Sequence, residues 1–282
     1  MSVASAVAVR PRPRTAARAV AAVRRNLLSV YALLALGYLF LPIAIVIAFS
    51  FNNPLGRFNY TWQGFTFKNW AHPLDYPGLG SAIRVSIEIA ILSSIVATAL
   101  GTLIALALVR YRFRGSSTTN LLIFIPMATP EIVMGASLLT LFLNWRVAQG
   151  FGTIFIAHVL FNISYVVVTV RARLVGFDRH LEEAAMDLGA NEIVTFFRVT
   201  LPLIAPGILA AGLLAFALSI DDFVITYFNA GTTTTFPLFV WGAARVAVPP
   251  QINVVGTAIF VVAVGGMLAN VLWQNRRARR LA

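Results

Sequence analysis

Residues 176–207 read GFDRHLEEAAMDLGANEIVTFFRVTLPLIAPG, and this partly polar stretch separates two long apolar runs. Asp178 is a residue type that caps the first turn of helices. The apolar positions that follow it recur at helical spacing: Leu181, Ala184, Ala185 and Leu188. Gly189 comes next, at the point where helices commonly end in a residue of positive φ. The stretch therefore predicts a short amphipathic helix that ends at Gly189.

A second short helix is expected immediately downstream. Asn191 can cap its first turn, and Ile193, Phe196 and Phe197 are expected to form its buried side. Pro202 then opens the next apolar run at a position whose backbone N–H has no helical partner anyway. We therefore predict a helix–turn–helix against the inner face of a membrane, with small Ala residues and a tight Gly turn that let another protein approach.

The chain as a whole is too apolar for an ordinary soluble domain. Of its 282 residues, 59% are hydrophobic and 11% are charged, whereas soluble domains carry roughly 25% charged residues. Six apolar stretches reach the roughly 20 residues that a spanning helix needs. They are Leu27–Phe51, Ser81–Val109, Asn120–Asn144, Thr153–Val170, Pro202–Phe228 and Asn253–Trp273. The sequence thus predicts an all-α membrane protein with six transmembrane helices.

Basic residues indicate the orientation of these spans. The net charge is +12, and 17 of the 22 Lys and Arg residues lie on one set of connections, which the positive-inside rule places in the cytoplasm. Both termini are therefore expected in the cytoplasm, as a disordered basic tail at 1–26 and a basic tail at 276–282. The membrane domain then covers 27–275, with the loop 177–201 on the cytoplasmic side. This placement explains the charge without a nucleic-acid partner.

The loop carries the pattern Glu183-Ala184-Ala185, three residues, Gly189, nine residues, Val199, one residue and Leu201-Pro202. This pattern resembles the cytoplasmic EAA loop of bacterial binding-protein-dependent ABC importer permeases, with Val199 where Ile is usual. The resemblance implies that a helix over about 179–188 is a coupling helix, which sits in a groove of a separate nucleotide-binding subunit. The coupling residues that it implies are Leu181, Glu182, Glu183, Ala184, Ala185, Leu188 and Gly189. The alternative is an amphipathic interfacial helix pair that has no partner.

The same resemblance implies the partners and the location of the chain. It places the chain in the bacterial plasma (inner) membrane with a homologous second permease, two ATP-binding-cassette ATPases and an extracytoplasmic binding protein. The chain itself is not expected to be an enzyme, because its only lysine, Lys68, follows Phe67 and forms no Gly-Lys-Ser/Thr phosphate loop. No cofactor is expected in this chain, since ATP and Mg²⁺ would bind the partner ATPases. With no Cys and three scattered His residues, no metal site is expected.

Acidic residues inside the predicted spans bear on the cargo, because ionisable groups at membrane depth are costly and usually functional. Four occur: Glu88, Glu131, Asp221 and Asp222. Apart from Arg84, one helical turn before Glu88, no basic residue lies close to them in the spans, which favours a cationic cargo. Of the adjacent pair, Asp222 is expected to face the pathway, because Thr226 and Tyr227 extend a polar lining from it.

Three further strings carry a narrower resemblance: TPEIVMGASLL, LSIDDFVITYF and FPLFVWGAARVAVPPQIN. They resemble the polyamine (spermidine/putrescine) branch of the family, and most resemble the second of that system's two permeases. The expected pathway residues are Glu131, Asp221, Asp222, Tyr227 and Trp241. The two aromatic side chains among them could offer their ring faces to a cation.

Several alternatives stay open. Pro126 and Pro130 are expected to break the third apolar stretch and to free backbone carbonyls that could line a site. Asp221 and Asp222 could instead cap a break in the fifth stretch or bond to the partner permease. The cargo could be ferric iron, thiamine or a phosphonate. An ion-driven secondary transporter is disfavoured by the loop and by the six spans, and no catalytic constellation suggests a membrane enzyme.

Overall fold

The computed structural model describes residues 15–111 and 113–281, and its regular structure is helical. The helices are α1 (Thr15–Phe49), α2 (Lys68–Ala71), α3 (Leu79–Arg110), α4 (Ser116–Ala128), α5 (Glu131–Asn144), α6 (Phe151–Val175), α7 (His180–Asp187), α8 (Glu192–Thr195), α9 (Leu201–Ile220), α10 (Val224–Asn229), α11 (Phe236–Val246) and α12 (Pro250–Leu281). A short π-helix, Phe196–Thr200, joins α8 to α9. Within the described residues no β-strand occurs beyond one bridge between Asn52 and Phe65. The predicted all-α class is therefore confirmed.

Helix extends into both predicted basic tails. The helix α1 begins at Thr15, so the backbone of 15–26 is helical where disorder was expected, and α12 runs on to Leu281. The prediction for residues 1–14 lies outside the described residues, as does Arg112.

Within the described residues, five segments are long and apolar enough to cross a membrane, and a bent pair of helices makes a sixth if it forms one span. The five are Leu27–Phe49, Leu79–Arg110, Phe151–Val175, Glu192–Ile220 and Pro250–Ala269. The pair consists of α4 and α5, which meet at 108°. Pro130 has no N–H and disfavours helical geometry in the residue before it, and Thr129 is accordingly extended at φ −78° and ψ 131°. The break expected at Pro130 is confirmed, but the one expected at Pro126 was wrong, because Pro126 lies inside α4, which continues to Ala128.

The described residues divide into two compact units, one within 1–73 and 249–282 and the other within 74–248. In the first unit, a buried asparagine organises the segment after α1. Asn52 Nδ2 donates to Asn59 Oδ1 at 2.6 Å, and Asn52 Oδ1 accepts from the Gln63 N–H at 2.8 Å. Asn69 Nδ2 donates to the Asn52 carbonyl at 2.7 Å. These bonds make the segment a folded structure and not a free linker.

The second unit is built on α3, α6 and α9. Small and β-branched side chains fill the space between these helices: Ala97, Ala105, Val166, Val170, Ala211 and Ala215 are all fully buried. Gly101 lies at the closest approach of α3 and α6, where an added Cβ would lie 2.6 Å from Val166 Cγ1. Small residues at such crossings are typical of helices that pack within a membrane. The three helices therefore form one tightly packed group.

Candidate functional site

The predicted helix–turn–helix is present in the structure as α7, a tight turn and α8. Gly189 has φ 90°; its N–H donates to the Met186 carbonyl at 2.9 Å, and the Ala190 N–H donates to the Ala185 carbonyl at 3.1 Å. This pair of bonds is the Schellman motif, which requires a left-handed residue after the helix. Asn191 Oδ1 accepts from the Val194 N–H at 2.8 Å, so the predicted cap of α8 is confirmed.

Asp178 accepts a hydrogen bond at the start of α7, from one position before the N-cap residue, Arg179. Its carboxylate accepts from the His180 N–H at 3.0 Å and lies 2.7 Å from His180 Nδ1. The hydrogen bond from His180 lowers the pKa of Asp178, and the same bond raises the pKa of His180. Both side chains are exposed, so solvent screens their interaction.

The predicted coupling residues divide between two sides of α7. Leu188 is 90% exposed and Leu181 is 48% exposed, and Glu183, Ala184 and Gly189 are exposed as well. Ala185 is partly buried. Glu182 differs from the others, because only 16% of its side chain is exposed and its carboxylate points into the protein. The exposed side presents a small apolar surface to any docking protein.

Glu182 joins α7 to two other elements. Its Oε1 forms an ion pair with Arg110 at the end of α3 and accepts a hydrogen bond from Thr200 Oγ1 in the short π-helix. Arg179 Nη2 also donates to the Val109 carbonyl of α3 at 2.9 Å. Sequence reasoning missed Arg110 and Thr200, since they lie 72 and 18 residues from Glu182.

The predicted buried side of α8 was partly wrong. Phe196 packs against the core of α3, α6 and α9, but Ile193 is 69% exposed and Phe197 is 61% exposed. The residues that are buried here are Thr195 and Thr200. Next to a bilayer, apolar side chains have no need to face protein, so apolar spacing alone does not identify the protein-facing side.

The fifth predicted span does not continue to Phe228, because α9 ends at Ile220 and α10 starts at Val224. Asp222 stabilises the start of α10: one carboxylate oxygen accepts from the Thr226 N–H at 2.8 Å and from Thr226 Oγ1 at 2.7 Å. The other accepts from the Ile225 N–H at 3.3 Å. The alternative in which this pair of acids caps a break in the span is therefore the one that the structure supports for Asp222.

Asp222 also has a buried partner that sequence reasoning missed. Its Oδ2 lies 3.2 Å from His158 Nε2, and the two side chains are only 5% and 3% exposed. His158 Nδ1 lies 2.6 Å from Ser219 Oγ, which in turn lies 3.0 Å from Ser93 Oγ. The expectation that Asp222 has no basic partner was wrong, because its side chain is buried against His158. Asp221, by contrast, is exposed.

An aromatic cluster lies beside the break and includes both predicted aromatic residues. Phe223, which the sequence analysis did not single out, contacts Tyr227 and Trp241, with ring centroids 5.6 Å and 5.2 Å apart. Tyr227 is 57% exposed and Trp241 is 46% exposed. The Arg245 guanidinium lies 4.7 Å from the centre of the Trp241 ring, which shows that this ring accepts a cation on its face.

The two remaining acids have different surroundings. Glu88 Oε1 accepts from Arg84 Nε at 2.7 Å, as their spacing predicted. Glu131 is the exposed first residue of α5. Helix α5 packs on α10, where Asn229 Nδ2 donates to the Gly135 carbonyl at 3.3 Å. Glu131 thus belongs to the helix that packs beside the aromatic cluster. Within the part of the chain that the structure describes, no group of three His, Asp or Glu residues could hold a metal ion.

The chain matches one protein family and is similar to two transport permeases of known systems. Residues 97–280 match the family described as "Binding-protein-dependent transport system inner membrane component". The spermidine/putrescine transport system permease protein PotC of Escherichia coli (strain K12) is 39% identical over 236 residues, which cover 83% of this chain and 89% of PotC. The putrescine transport system permease protein PotI of the same strain is 38% identical over 258 residues, 88% of this chain and 91% of PotI.

Solved structures agree at the level of the fold. A chain of a bacterial ABC transporter involved in the import of the acidic polysaccharide alginate has a TM-score of 0.63 at 18% identity, with 94% of this chain and 99% of that chain covered. A chain of the MetNI methionine ABC transporter has a TM-score of 0.53 at 14% identity, with 74% of this chain and 100% of that chain covered. By these matches, the chain belongs to the family of inner membrane components of binding-protein-dependent transport systems and is itself a transport subunit and not an ATPase.

Proposed function

We propose that this chain is a permease subunit of an ABC importer that carries polyamines, spermidine or putrescine, into the bacterial cytoplasm. The observation that carries this proposal is the 39% identity over 83% of the chain to a spermidine/putrescine permease. Exposed groups beside the α9–α10 break include an acid, Asp221, and the aromatic rings of Tyr227 and Trp241, which suit an ammonium group. The Trp241 ring already carries the Arg245 guanidinium on its face.

In this proposal, α7 is the coupling helix. Its exposed side, with Leu181, Glu183, Ala184 and Leu188, docks in a groove of an ABC ATPase. The Schellman turn at Gly189 fixes the direction in which α8 leaves, so α7 can protrude from the inner face. ATP and Mg²⁺ bind the ATPase. A homologous second permease, two ATPases and an extracytoplasmic binding protein complete the assembly.

The proposed pathway lies beside the α9–α10 break. Asp221 and Glu131 supply the negative charge, and Tyr227 and Trp241 supply ring faces. Asp222 shapes the break from within and, with its carboxylate occupied by Thr226 and His158, does not touch the cargo. Weak exposed contacts of this kind suit a transporter, since a site that held a polycation tightly would slow its release.

The test is uptake by the full assembly in proteoliposomes. The chain is reconstituted with its second permease, its ATPase and its binding protein, and accumulation of radiolabelled spermidine and putrescine is measured with and without ATP. We expect ATP-dependent uptake of at least one of them, and little competition from thiamine, ferric iron or a phosphonate. Uptake of one of those competitors without polyamine uptake would contradict the assigned cargo but keep the importer class.

A further inference from the structure

We infer that Glu182 is the side chain that ties the coupling helix to the membrane helices, so it transmits force and does not contact the ATPase. The inference rests on the proposed role of α7. It reassigns one residue of the expected docking set and adds Arg110 and Thr200, which no sequence motif identified.

The Glu182 side chain points away from the exposed side of α7. Glu182 is 16% exposed, and its carboxylate is engaged by Arg110 and Thr200, whereas Leu188, on another side of α7, is 90% exposed. A carboxylate already engaged inside the protein has little surface left for a docking partner. The docking side and the Glu182 side of α7 are therefore different.

Glu182 connects α7 to the end of α3 and the start of α9. Arg110 is the last residue of α3, and Thr200, which is fully buried, lies at the base of α9. Arg110 Nη2 also lies 3.4 Å from Thr200 Oγ1, so the three side chains form one closed group, the Glu182 triad. Arg179, one turn before Glu182, adds a bond to an α3 carbonyl that has no partner within its helix. Two contacts on one side of α7 thus fix it to α3 and α9.

Helix α9 leads from the Glu182 contact to the break beside the proposed pathway. Helices α3 and α9 share the buried core with α6, so a displacement at their inner ends moves them together. Helix α9 has 20 residues, which span about 30 Å, and its far end is the break that carries Asp221. A push on α7 would therefore reach the proposed cargo residues through the Glu182 triad and helix α9.

The experiment separates transmission from docking. Glu182→Ala, Arg110→Ala and the double variant are compared in the full assembly for ATPase co-purification, for ATP hydrolysis and for polyamine uptake per ATP. Glu182→Gln is the conservative variant, because its amide oxygen can still accept from Arg110 and Thr200. Asp187→Ala is the matched control, since Asp187 is an exposed acid on the same helix.

We expect Glu182→Ala to retain the ATPase and hydrolyse ATP but to transport about tenfold less per ATP, a size typical of residues that carry coupling between sites. Arg110→Ala should lower transport per ATP by a similar factor. The double variant should transport no less per ATP than the more impaired single variant. Glu182→Gln should keep most uptake. Parental uptake in Glu182→Ala, or loss of ATPase binding, would overturn the inference. Failure of the parental chain to bind any ABC ATPase would instead refute the proposed function.

Discussion

At the scale of single residues, the adjacent acids Asp221 and Asp222 occupy different environments. Asp222 is 5% exposed and bonded to His158 and Thr226, while Asp221 is exposed. The sequence predicts that two neighbouring acids on a helix point in different directions, but it does not tell which one turns inward. That choice depends on His158, 64 residues away along the chain.

Substitution of the two acids by Asn should therefore have different effects. Asp221→Asn should lower polyamine uptake and leave assembly and basal ATP hydrolysis near parental values, because only an exposed charge is lost. Asp222→Asn should destabilise the protein by about 1–3 kcal/mol, since it removes a buried charged acceptor. Uptake in proteoliposomes and thermal unfolding in detergent measure the two effects. A stable Asp222→Asn protein with a selective loss of uptake would show that Asp222, and not Asp221, contacts the cargo.

A second residue-scale prediction concerns the pH dependence of His180. The hydrogen bond to Asp178 raises the pKa of His180 and lowers the pKa of Asp178. The bond should be complete between these two pKa values, and it should be lost as pH rises through the pKa of His180 or falls through that of Asp178. Asp178→Asn should therefore shift the NMR titration midpoint of His180 downward. An unchanged midpoint would mean that the two side chains do not pair in solution.

At the scale of elements, the turn after α7 provides the sharpest prediction. Gly189 has φ 90° and open space around the position of a Cβ, so a substitution there meets conformational strain and no clash within the chain. Gly189→Val should cost on the order of 1 kcal/mol or more and misdirect α7, because β-branched residues disfavour this conformation. We expect normal insertion with weak ATPase docking and sharply reduced uptake.

Gly189→Asn is the matched control for that variant, since Asn tolerates left-handed backbone better than Val does. It should retain most docking and uptake. Equal losses in both variants would attribute the effect to side-chain bulk at the ATPase contact. Parental docking and uptake in Gly189→Val would show that the turn has no role in coupling.

The elements also show what a sequence can and cannot predict. The break at Pro130 could be predicted, because proline acts on its own neighbours. The break at 221–223 has no proline or glycine, and it depends on the bond of Asp222 to Thr226 and on His158 from another helix. The exposed Ile193 and Phe197 could not be assigned from spacing either, because lipid accepts apolar side chains as readily as a protein core does.

At the scale of the whole molecule, the orientation of the spans is a prediction from charge placement. If α4 and α5 together make one crossing, the chain crosses six times, and an even number places both termini on one side. The excess of Arg on the loops that include 110–114 and 171–198 puts that side in the cytoplasm.

Reporter fusions at Ser117, at Arg179 and at the C-terminus should report the cytoplasm, and fusions at Gly64 and Pro250 should report the outside. The fusions at Ser117, at the start of α4, and at Arg179, after α6, are the informative ones, because a re-entrant α4–α5 pair would place Arg179 on the opposite side from Ser117. An external reporter at Arg179 would therefore refute the six-span topology, and it would also remove α7 from the side of the membrane where ATP is available.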